Sequence, residues 1–390
     1  GTDVITVNTD ANLSFSGTGA VTLKASKTIE TKSGSSLSAT GGNILLEANQ
    51  QVTPTVGSFT GIGHRGTISI IGGSAGVGTI TLKGKGGDGT DNPQVGVLIA
   101  GNVTGLAGSL TIEGVGGSSA ANGNVGMHVN APVSSKSLIT LIGTGNGTGA
   151  STDNAGVLIT NTITNSPNTT KSVLITGTGA NTTGTGNHGI SLNNDITNGN
   201  GGIILTGTAG NTASDDLFIN SGTIRSSSNP NNFTAINLVG DRVTINAAAV
   251  VGVNTGSDVS LLPRTDNTPI NLGTETAGSL SYTNDELNRI FAYELYIGNA
   301  TSGDLTISAP IAPANIAPTC RITLQSQNNL FISGGGITTL GGNVRLRATQ
   351  IYPNFPGTDV SMGTGLVATG TNNVLAFVIN GPAVNTGYTQ

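Results

Sequence analysis

Five short segments decide the fold: Ile80–Gly84 (ITLKG), Leu110–Gly114 (LTIEG), Ile139–Gly143 (ITLIG), Val173–Gly177 (VLITG) and Ile203–Gly207 (IILTG). By subtraction, their first residues lie 30, 29, 34 and 30 positions apart. Self-similarity at a period in this range is the sequence signature of a repeat architecture. Each segment has aliphatic residues at its first and third positions, which predicts a strand with one buried face.

Two further sets of segments recur in the same phase. The second set is Gly96–Ile99, Gly126–Val129, Gly156–Ile159, Gly189–Leu192 and Asp216–Ile219. The third set is Asn102–Thr104, Pro132–Ser134, Thr162–Thr164, Asp195–Thr197 and Gly222–Ile224. Three strands in each unit of about thirty residues predict an all-β chain coiled as a right-handed parallel β-helix. Each strand should then pair with its counterpart one unit away.

The flanking sequence fits the same scheme, so we expect residues 1–390 to form a single continuous β-helix shaft. Earlier strands are predicted at Val21–Lys24, Thr28–Glu30, Ser36–Ser38 and Asn43–Glu47. Later strands are predicted at Ala235–Val239, Arg242–Asn246, Val259–Leu262, Leu305–Ser308, Arg321–Gln325, Leu330–Ser333 and Val344–Ala348. Stacking should align aliphatic residues inside the coil, and Asn residues at its turns can form hydrogen-bonded ladders. The Gly-, Asn- and Thr-rich segments after each ITLKG-type strand are expected to project from one corner.

Composition agrees with an ordered, non-globular β protein. Only 9% of the 390 residues are charged and 3% are aromatic, and the chain has 61 Gly and no Trp. A net charge of −5, with no basic stripe carrying aromatic residues, argues against a nucleic-acid partner. The single cysteine, Cys320, excludes an intrachain disulfide framework and is expected to be a small buried residue. No apolar stretch is long enough for a membrane-spanning helix, and no leader peptide is recognisable at Gly1.

One segment departs from the strand pattern. Residues 283–291 are predicted as a helical excursion, because Thr283 followed by Glu286 forms a capping box. Leu287 and Ile290 are three positions apart and would give this helix one apolar stripe.

The same region carries a family resemblance. The segments Leu280–Ile290, Leu295–Gly298 and Ser302–Ile307 are similar to a motif of filamentous-haemagglutinin-type proteins, which are large bacterial β-helical exoproteins exported by two-partner secretion. The motif covers about thirty residues, and the repeat style covers most of the remainder. The resemblance implies an extracellular shaft on a bacterial surface that serves adhesion, aggregation or fibre formation. The chain has no recognisable secretion domain or membrane anchor of that family.

Catalytic and metal sites are weakly supported by the sequence. The segment 86–91 (GGDGTD) matches the start of a calcium-binding β-roll repeat, but it occurs once, so a simple turn is expected. Asp195, Asp215 and Asp216 invite comparison with pectin-cleaving β-helices but are isolated among small residues. His64, His128 and His188 lack a metal-ligand spacing and are expected at the surface or in turns. We therefore predict a protein that is not an enzyme and that uses no cofactor or metal.

Surface modification and ice binding remain open alternatives. Of seven Asn-X-Ser/Thr sequons, those considered for glycosylation are Asn102, Asn146, Asn168 and Asn181. Outward Thr columns are a feature of ice-binding solenoids, but Thr-X-Thr pairs such as Thr162 and Thr164 are not expected to recur on one face.

The two ends are the strongest candidates for an interaction site. Neither end has a polar cap of the kind that normally terminates a repeat protein. Candidate assembly edges are the apolar residues of the first and last strands: Val4, Ile5, Val7, Val374, Leu375, Phe377 and Ile379. Expected partners are neighbouring copies, further repeats of the same polypeptide, or a host or neighbouring cell surface. Three functions follow: an adhesin shaft, a self-assembling fibre subunit and, more remotely, a polysaccharide-binding or -cleaving β-helix.

Overall fold

A computed structural model describes residues 3–72, 78–90, 93–106, 108–166, 171–226, 234–253, 257–334, 336–339, 343–353, 366–368 and 375–379. The chain is a parallel β-helix, as the thirty-residue period predicted. It divides into two compact units, which are described in turn: residues 1–239 with 243–250, and residues 240–242 with 251–390. The single continuous shaft over residues 1–390 stays a prediction.

The first unit is a stack of three-stranded rungs. Its strands, three to a rung, are β1 (Val4–Val7), β2 (Asn12–Phe15), β3 (Val21–Ala25); β4 (Thr28–Thr31), β5 (Ser36–Ala39), β6 (Ile44–Ala48); β7 (Ile62–His64), β8 (Thr67–Ile70), β9 (Ile80–Lys85); β10 (Val97–Ile99), β11 (Val103–Gly105), β12 (Leu110–Val115); β13 (Met127–Val129), β14 (Val133–Ser135), β15 (Ile139–Thr144); β16 (Val157–Ile159), β17 (Ile163–Asn165), β18 (Val173–Thr178); β19 (Ile190–Leu192), β20 (Ile196–Asn198), β21 (Ile203–Thr208). In the next rung, β22 (Leu217–Ser226) spans two strand positions and β23 (Thr234–Val239) the third, followed by β24 (Val243–Gly252).

All three predicted sets of strands pair in the predicted parallel register. Leu110 lies opposite Ile80 and Ile139, Val97 lies opposite Met127, and Val103 lies opposite Val133. The inward residues are fully buried aliphatic columns, as in Ile80, Leu110, Ile139, Val173 and Ile203. The hydrophobic effect therefore favours this register, since a slip of one residue would turn each column outward.

Glycine columns form one corner of this stack. One column occupies the last inward-facing position of the third strand in successive rungs and consists of Gly84, Gly114, Gly143 and Gly177. A second column immediately precedes the first strand of the following rung and consists of Gly96, Gly126, Gly156 and Gly189. A Cβ atom on Gly114 would lie 2.0 Å from the carbonyl oxygen of Gly126, which is closer than any van der Waals contact. The two backbones can meet at this corner only because both residues lack a side chain.

A side-chain ladder runs along the same corner. The side-chain oxygen of Gln94 accepts a hydrogen bond from Phe59 N at 2.6 Å. In the following rungs, the side-chain oxygen of Asn124 accepts from Gln94 N at 2.9 Å, and that of Asn154 accepts from Asn124 N at 2.8 Å. Asn187 and then Ser214 continue the ladder, accepting from Asn154 N and Asn187 N. The ladder residues Gln94, Asn124, Asn154 and Asn187 are fully buried. The predicted turn ladder is therefore present.

The loops that carry the ladder were predicted to project from one corner. In the structure they pack on one another. Ser119, Ser151 and Thr182 lie within these loops and are all buried. Backbone bonds join each loop to the next, as from Thr148 N to Ser119 O, and the Thr182 hydroxyl donates to Ser151 O. The loops pack on one another because small residues let their backbones approach.

The second unit repeats the three-sided arrangement with less regular strands. They are β25 (Ser257–Leu262), β26 (Ile270–Gly273), β27 (Leu280–Thr283), β28 (Ile290–Ile297), β29 (Leu305–Ile307), β30 (Ile316–Gln325), β31 (Asn329–Ile332), β32 (Ile337–Thr339), β33 (Asn343–Ala348), β34 (Gln350–Pro353), β35 (Leu366–Ala368) and β36 (Leu375–Ile379). One face pairs β25, β28, β30, β33 and β36 in that order. A second face has the order β27, β26, β29, β31, β34, and a third pairs β32 with β35.

The predicted helical excursion over residues 283–291 is a single turn. Helix α1 covers Asn284–Leu287 and has the predicted capping box between Thr283 and Glu286. Leu287 and Ile290 are buried, but Ile290 already belongs to strand β28. The side chains of Asn284 and Asn288 accept from the backbone of Ala312 and Ala314, so this turn anchors the chain that follows β29.

Candidate functional site

Among the described residues, no further rung stacks on the outer side of the first rung, so its inward side chains are more exposed than those of the second. Strands β1, β2 and β3 pair with β4, β5 and β6 on one side, and no strand among the described residues pairs with their other side. Leu13 and Phe15 are 36% and 39% exposed, whereas Leu37 and Ala39, which stack on them in the next rung, are 1% exposed. The same inward position is therefore apolar in both rungs but covered only in the second.

The predicted edge residues of β1 have different environments. Val4 is 51% exposed and Ile5 is half-buried, but Val7 is 5% exposed and already belongs to the core. Sequence reasoning missed Leu13 and Phe15, although their alternation in Asn12–Phe15 could have identified a strand. We name Val4, Ile5, Leu13 and Phe15 the open rung.

At the other end, the backbone of β36 pairs in parallel with β33, as Val344 opposite Leu375 and Leu346 opposite Phe377. Ile379 lies opposite Ala348 in the same ladder. The predicted edge residue Val374 lies outside the described residues. No strand in the described part of the chain pairs with the far side of β36.

His64 is buried inside the stack, so its expected surface or turn position is wrong. It lies on β7 and has no exposed surface. Its Nε2 lies 3.2 Å from the Asn102 carbonyl oxygen and its Nδ1 2.6 Å from the Thr31 hydroxyl. Since a carbonyl can only accept, Nε2 carries the proton and Nδ1 accepts from Thr31. Burial lowers the pKa of His64 to about 4, against a smaller opposing effect of the bond to Asn102.

This histidine should make stability depend on pH. The pKa of His64 is below that of an unfolded histidine, so the unfolded state binds more protons as the pH falls from 6.5 to about 4. We expect the free energy of unfolding to fall by about 3 kcal/mol across this window through His64, and no further below it. Denaturant unfolding from pH 7 to 4 measures the effect.

The matched variant is His64→Gln, which keeps a polar side chain and cannot titrate. The pH dependence of the wild type minus that of the variant isolates His64 from the carboxylates. Equal slopes for the two proteins between pH 6.5 and 4 would contradict the assignment.

The other titratable candidates lie at separate turns. Asp88 accepts from Gly57 N at 2.6 Å, and Asp195 accepts from Thr223 N at 2.8 Å. Asp215 lies 3.7 Å from His188, whose ring stacks on Phe218. Asp216 accepts from Ala209 N. Within the described ranges, no three His, Cys, Asp or Glu side chains form a group that could hold a metal ion.

The predicted glycosylation sites differ in accessibility. Asn102 and Asn181 are exposed, Asn146 is half-buried, and Asn168 lies outside the described residues. The side-chain oxygen of Asn146 accepts from Gly147 N at 2.9 Å. Asn102 and Asn181 are therefore the more accessible acceptors, and glycosylation stays a prediction.

One Thr-X-Thr pair recurs on the neighbouring strand but does not continue through the rungs, since Thr176 lies opposite Ile142 on its other side and Thr206 lies opposite Val239. Thr176 and Thr178 lie opposite Thr206 and Thr208 on neighbouring strands. Two rungs share this pattern, while Leu174 and Ile204 occupy the adjoining outward positions.

No helix in the described ranges is long and apolar enough to cross a membrane. No protein-family model, curated protein or solved structure matches this chain. The resemblance to filamentous-haemagglutinin-type proteins therefore stays a prediction based on residues 280–307.

Proposed function

We propose that this chain is a non-catalytic shaft of an extracellular structural or adhesive rod on a bacterial surface. The observation that supports this proposal is the set of contacts that the recurring residues make. In successive rungs the aliphatic columns, the paired glycines and the side-chain ladder all contact the neighbouring rung. What the repeat preserves is stacking itself, which is the property that a spacer needs.

Surface location is tested in the organism that makes the protein. An antibody raised against the purified chain should label intact cells. Label that appears only after permeabilisation would overturn the extracellular role.

A spacer should also tolerate the loss of one complete rung. Val157 lies opposite Met127, so removal of residues 127–156 joins Gly126 to Val157 and restores the register with Val97. We expect this variant to fold with a melting temperature within a few degrees of the wild type, because each rung contacts only its neighbours. Circular dichroism on heating measures this.

The matched control removes half a rung, residues 127–141, and joins strands of different faces. It should unfold or aggregate. If both deletions unfold equally, the rungs are not interchangeable and the shaft proposal loses its support.

A second candidate function is growth by end-on addition, which the open rung favours. Its apolar side chains and unpaired strand edges are a template for a further rung. That rung could come from another copy or from further repeats of the same polypeptide. If copies associate, the double variant L13E/F15E should remain monomeric at concentrations where the wild type assembles.

Light scattering at several concentrations measures this association. The control V52E/V56E adds the same charge at two side chains that are 103% and 71% exposed and lie in a loop. It should assemble like the wild type. A wild-type chain that stays monomeric throughout would exclude end-on addition of copies.

A further inference from the structure

Five charged residues of the second unit lie on the outer side of one face. In a chain with 9% charged residues, four neighbouring strands carry five charges there. Asp258 on β25, Glu294 on β28 and Arg321 on β30 lie in one row of the parallel register. Arg345 and Arg347 follow on β33, opposite Thr323 and Gln325. We name Asp258, Glu294, Arg321, Arg345 and Arg347 the charged face.

An ion pair lies at the centre of the charged face. The Arg321 guanidinium binds both carboxylate oxygens of Glu294, with Nη2 to Oε2 at 2.7 Å. The Thr323 hydroxyl donates to Glu294 Oε1 at 3.2 Å. Burial raises the pKa of Glu294, but the hydrogen bonds from Arg321, Tyr296 and Thr323 together with the positive charge of Arg321 outweigh it and leave the pKa below its usual value. Glu294 is therefore a carboxylate that is already satisfied by the protein.

The flanking groups are only partly satisfied. Asp258 Oδ1, Arg345 Nε and Arg347 Nε have no hydrogen-bond partner among the described residues, although the Asp258 carboxyl group accepts a backbone hydrogen bond from Glu294. Burial, followed by the nearby charge of Glu294, raises the pKa of Asp258 to about 6. A carboxylate that can accept thus lies at one side of the face, and two guanidinium groups that can donate lie at the other.

We propose that the charged face binds an acidic polysaccharide that carries uronic-acid carboxylates. Arg345 and Arg347 would bind a carboxylate, since guanidinium matches its geometry in a bidentate pair. Asp258 would accept from a sugar hydroxyl, and the half-buried Tyr296, beside Glu294 in the same strand, offers an aromatic edge to a sugar ring. Four strands side by side present these groups across one face, with Arg345 and Arg347 two and four positions beyond the row of Arg321, and a linear polymer could cross this face.

The mixture of charges favours such a glycan over nucleic acid. Duplex DNA carries a phosphate charge about every 1.7 Å, so it would place charge against Asp258 and Glu294. In a uronate polymer, carboxylates are separated by hydroxyl groups. Arginine side chains can bind the carboxylates, and acidic side chains can accept hydrogen bonds from the hydroxyl groups. This inference names a partner class and does not depend on the shaft being extracellular.

The test uses the full chain and polygalacturonate as the probe, with dextran as the neutral polymer and duplex DNA as the competing polyanion. We expect calorimetry at low salt to show binding of polygalacturonate that weakens as salt is added. In the double variant R345Q/R347Q, binding should be about tenfold weaker or more, because two charge-assisted contacts are lost. The control R65Q/R225Q removes the same charge from two exposed arginines of the first unit and should bind like the wild type.

Hydrogen exchange of the wild type gives a second readout that does not depend on variants. Added polygalacturonate should slow exchange in Ile316–Gln325 and Asn343–Ala348. Absence of binding, equal loss in both double variants, tighter binding of DNA, or protection elsewhere would each overturn the proposal. None of these outcomes would change the expected result of the surface-labelling or rung-deletion experiments.

Discussion

Gly126→Ala should destabilise the first unit by about 4 kcal/mol or more, although it adds a single methyl group. The new Cβ atom would lie 2.3 Å from Thr144 N and 2.6 Å from the Gly156 carbonyl oxygen. Both are backbone atoms of the same or the next rung, so no side chain can rotate away to make room. Relief requires separating two paired strands, and the parallel bonds of Met127 with Val157 would weaken as a result. Chemical denaturation at pH 7 measures the loss.

Gly19→Ala is the matched control for this variant. A Cβ atom on Gly19 meets nothing within 4 Å, and its φ lies outside the left-handed region. We expect it to change the free energy of unfolding by less than about 1 kcal/mol. A similar loss in both variants would contradict the close corner as the cause of the effect.

Asn154→Leu should cost about 3–4 kcal/mol, because it interrupts the side-chain ladder inside the stack. Asn154 Oδ1 accepts from Asn124 N at 2.8 Å, while Nδ2 donates to Asn187 Oδ1 at 2.9 Å and to Ser151 Oγ at 3.0 Å. Leucine has a similar size but can make none of these bonds. The Asn124 N–H would lose its partner in a site that excludes water. Thermal and urea unfolding, followed by circular dichroism, measure the loss.

Asn181→Ala is the control for the ladder. Asn181 is exposed and lies in the loop that precedes the next ladder residue, Asn187. Its replacement should stay within about 0.5 kcal/mol of the wild type. If Asn154→Leu were equally mild, a buried water or a shifted loop would have to satisfy Asn124, and the ladder would not be a source of stability.

Much of the architecture could be predicted from the repeat alone. Residues such as Ile80, Leu110 and Ile139 recur at one phase, and only parallel stacking buries all of them together. The capping box at Thr283 and Glu286 was also predictable, because its two hydrogen bonds are local. The helix that follows it is shorter than predicted, since pairing of β28 begins at Ile290 and competes with a further helical turn.

Single residues with ambiguous chemistry were less predictable. His64 resembles a turn histidine in sequence, but its neighbours Thr31 and Asn102 lie 33 and 38 positions away and bind it inside the stack. The loops were expected to project, yet Ser119 and Ser151 are buried by loops of neighbouring rungs. In both cases the deciding contact lies about one rung away in sequence.

The open rung and the charged face also combine features that the local sequence predicts with features that depend on contacts between distant residues. The period, the strands and their inward residues could be predicted before the structure, because alternation and self-similarity are local properties of the chain. The exposure of Leu13 and Phe15, and the row formed by Asp258, Glu294 and Arg321, became visible only in the folded chain. The physical reason is that register across irregular turns depends on strand pairing over about thirty residues. Burial at an end depends on whether a neighbouring rung is present, which no local pattern records.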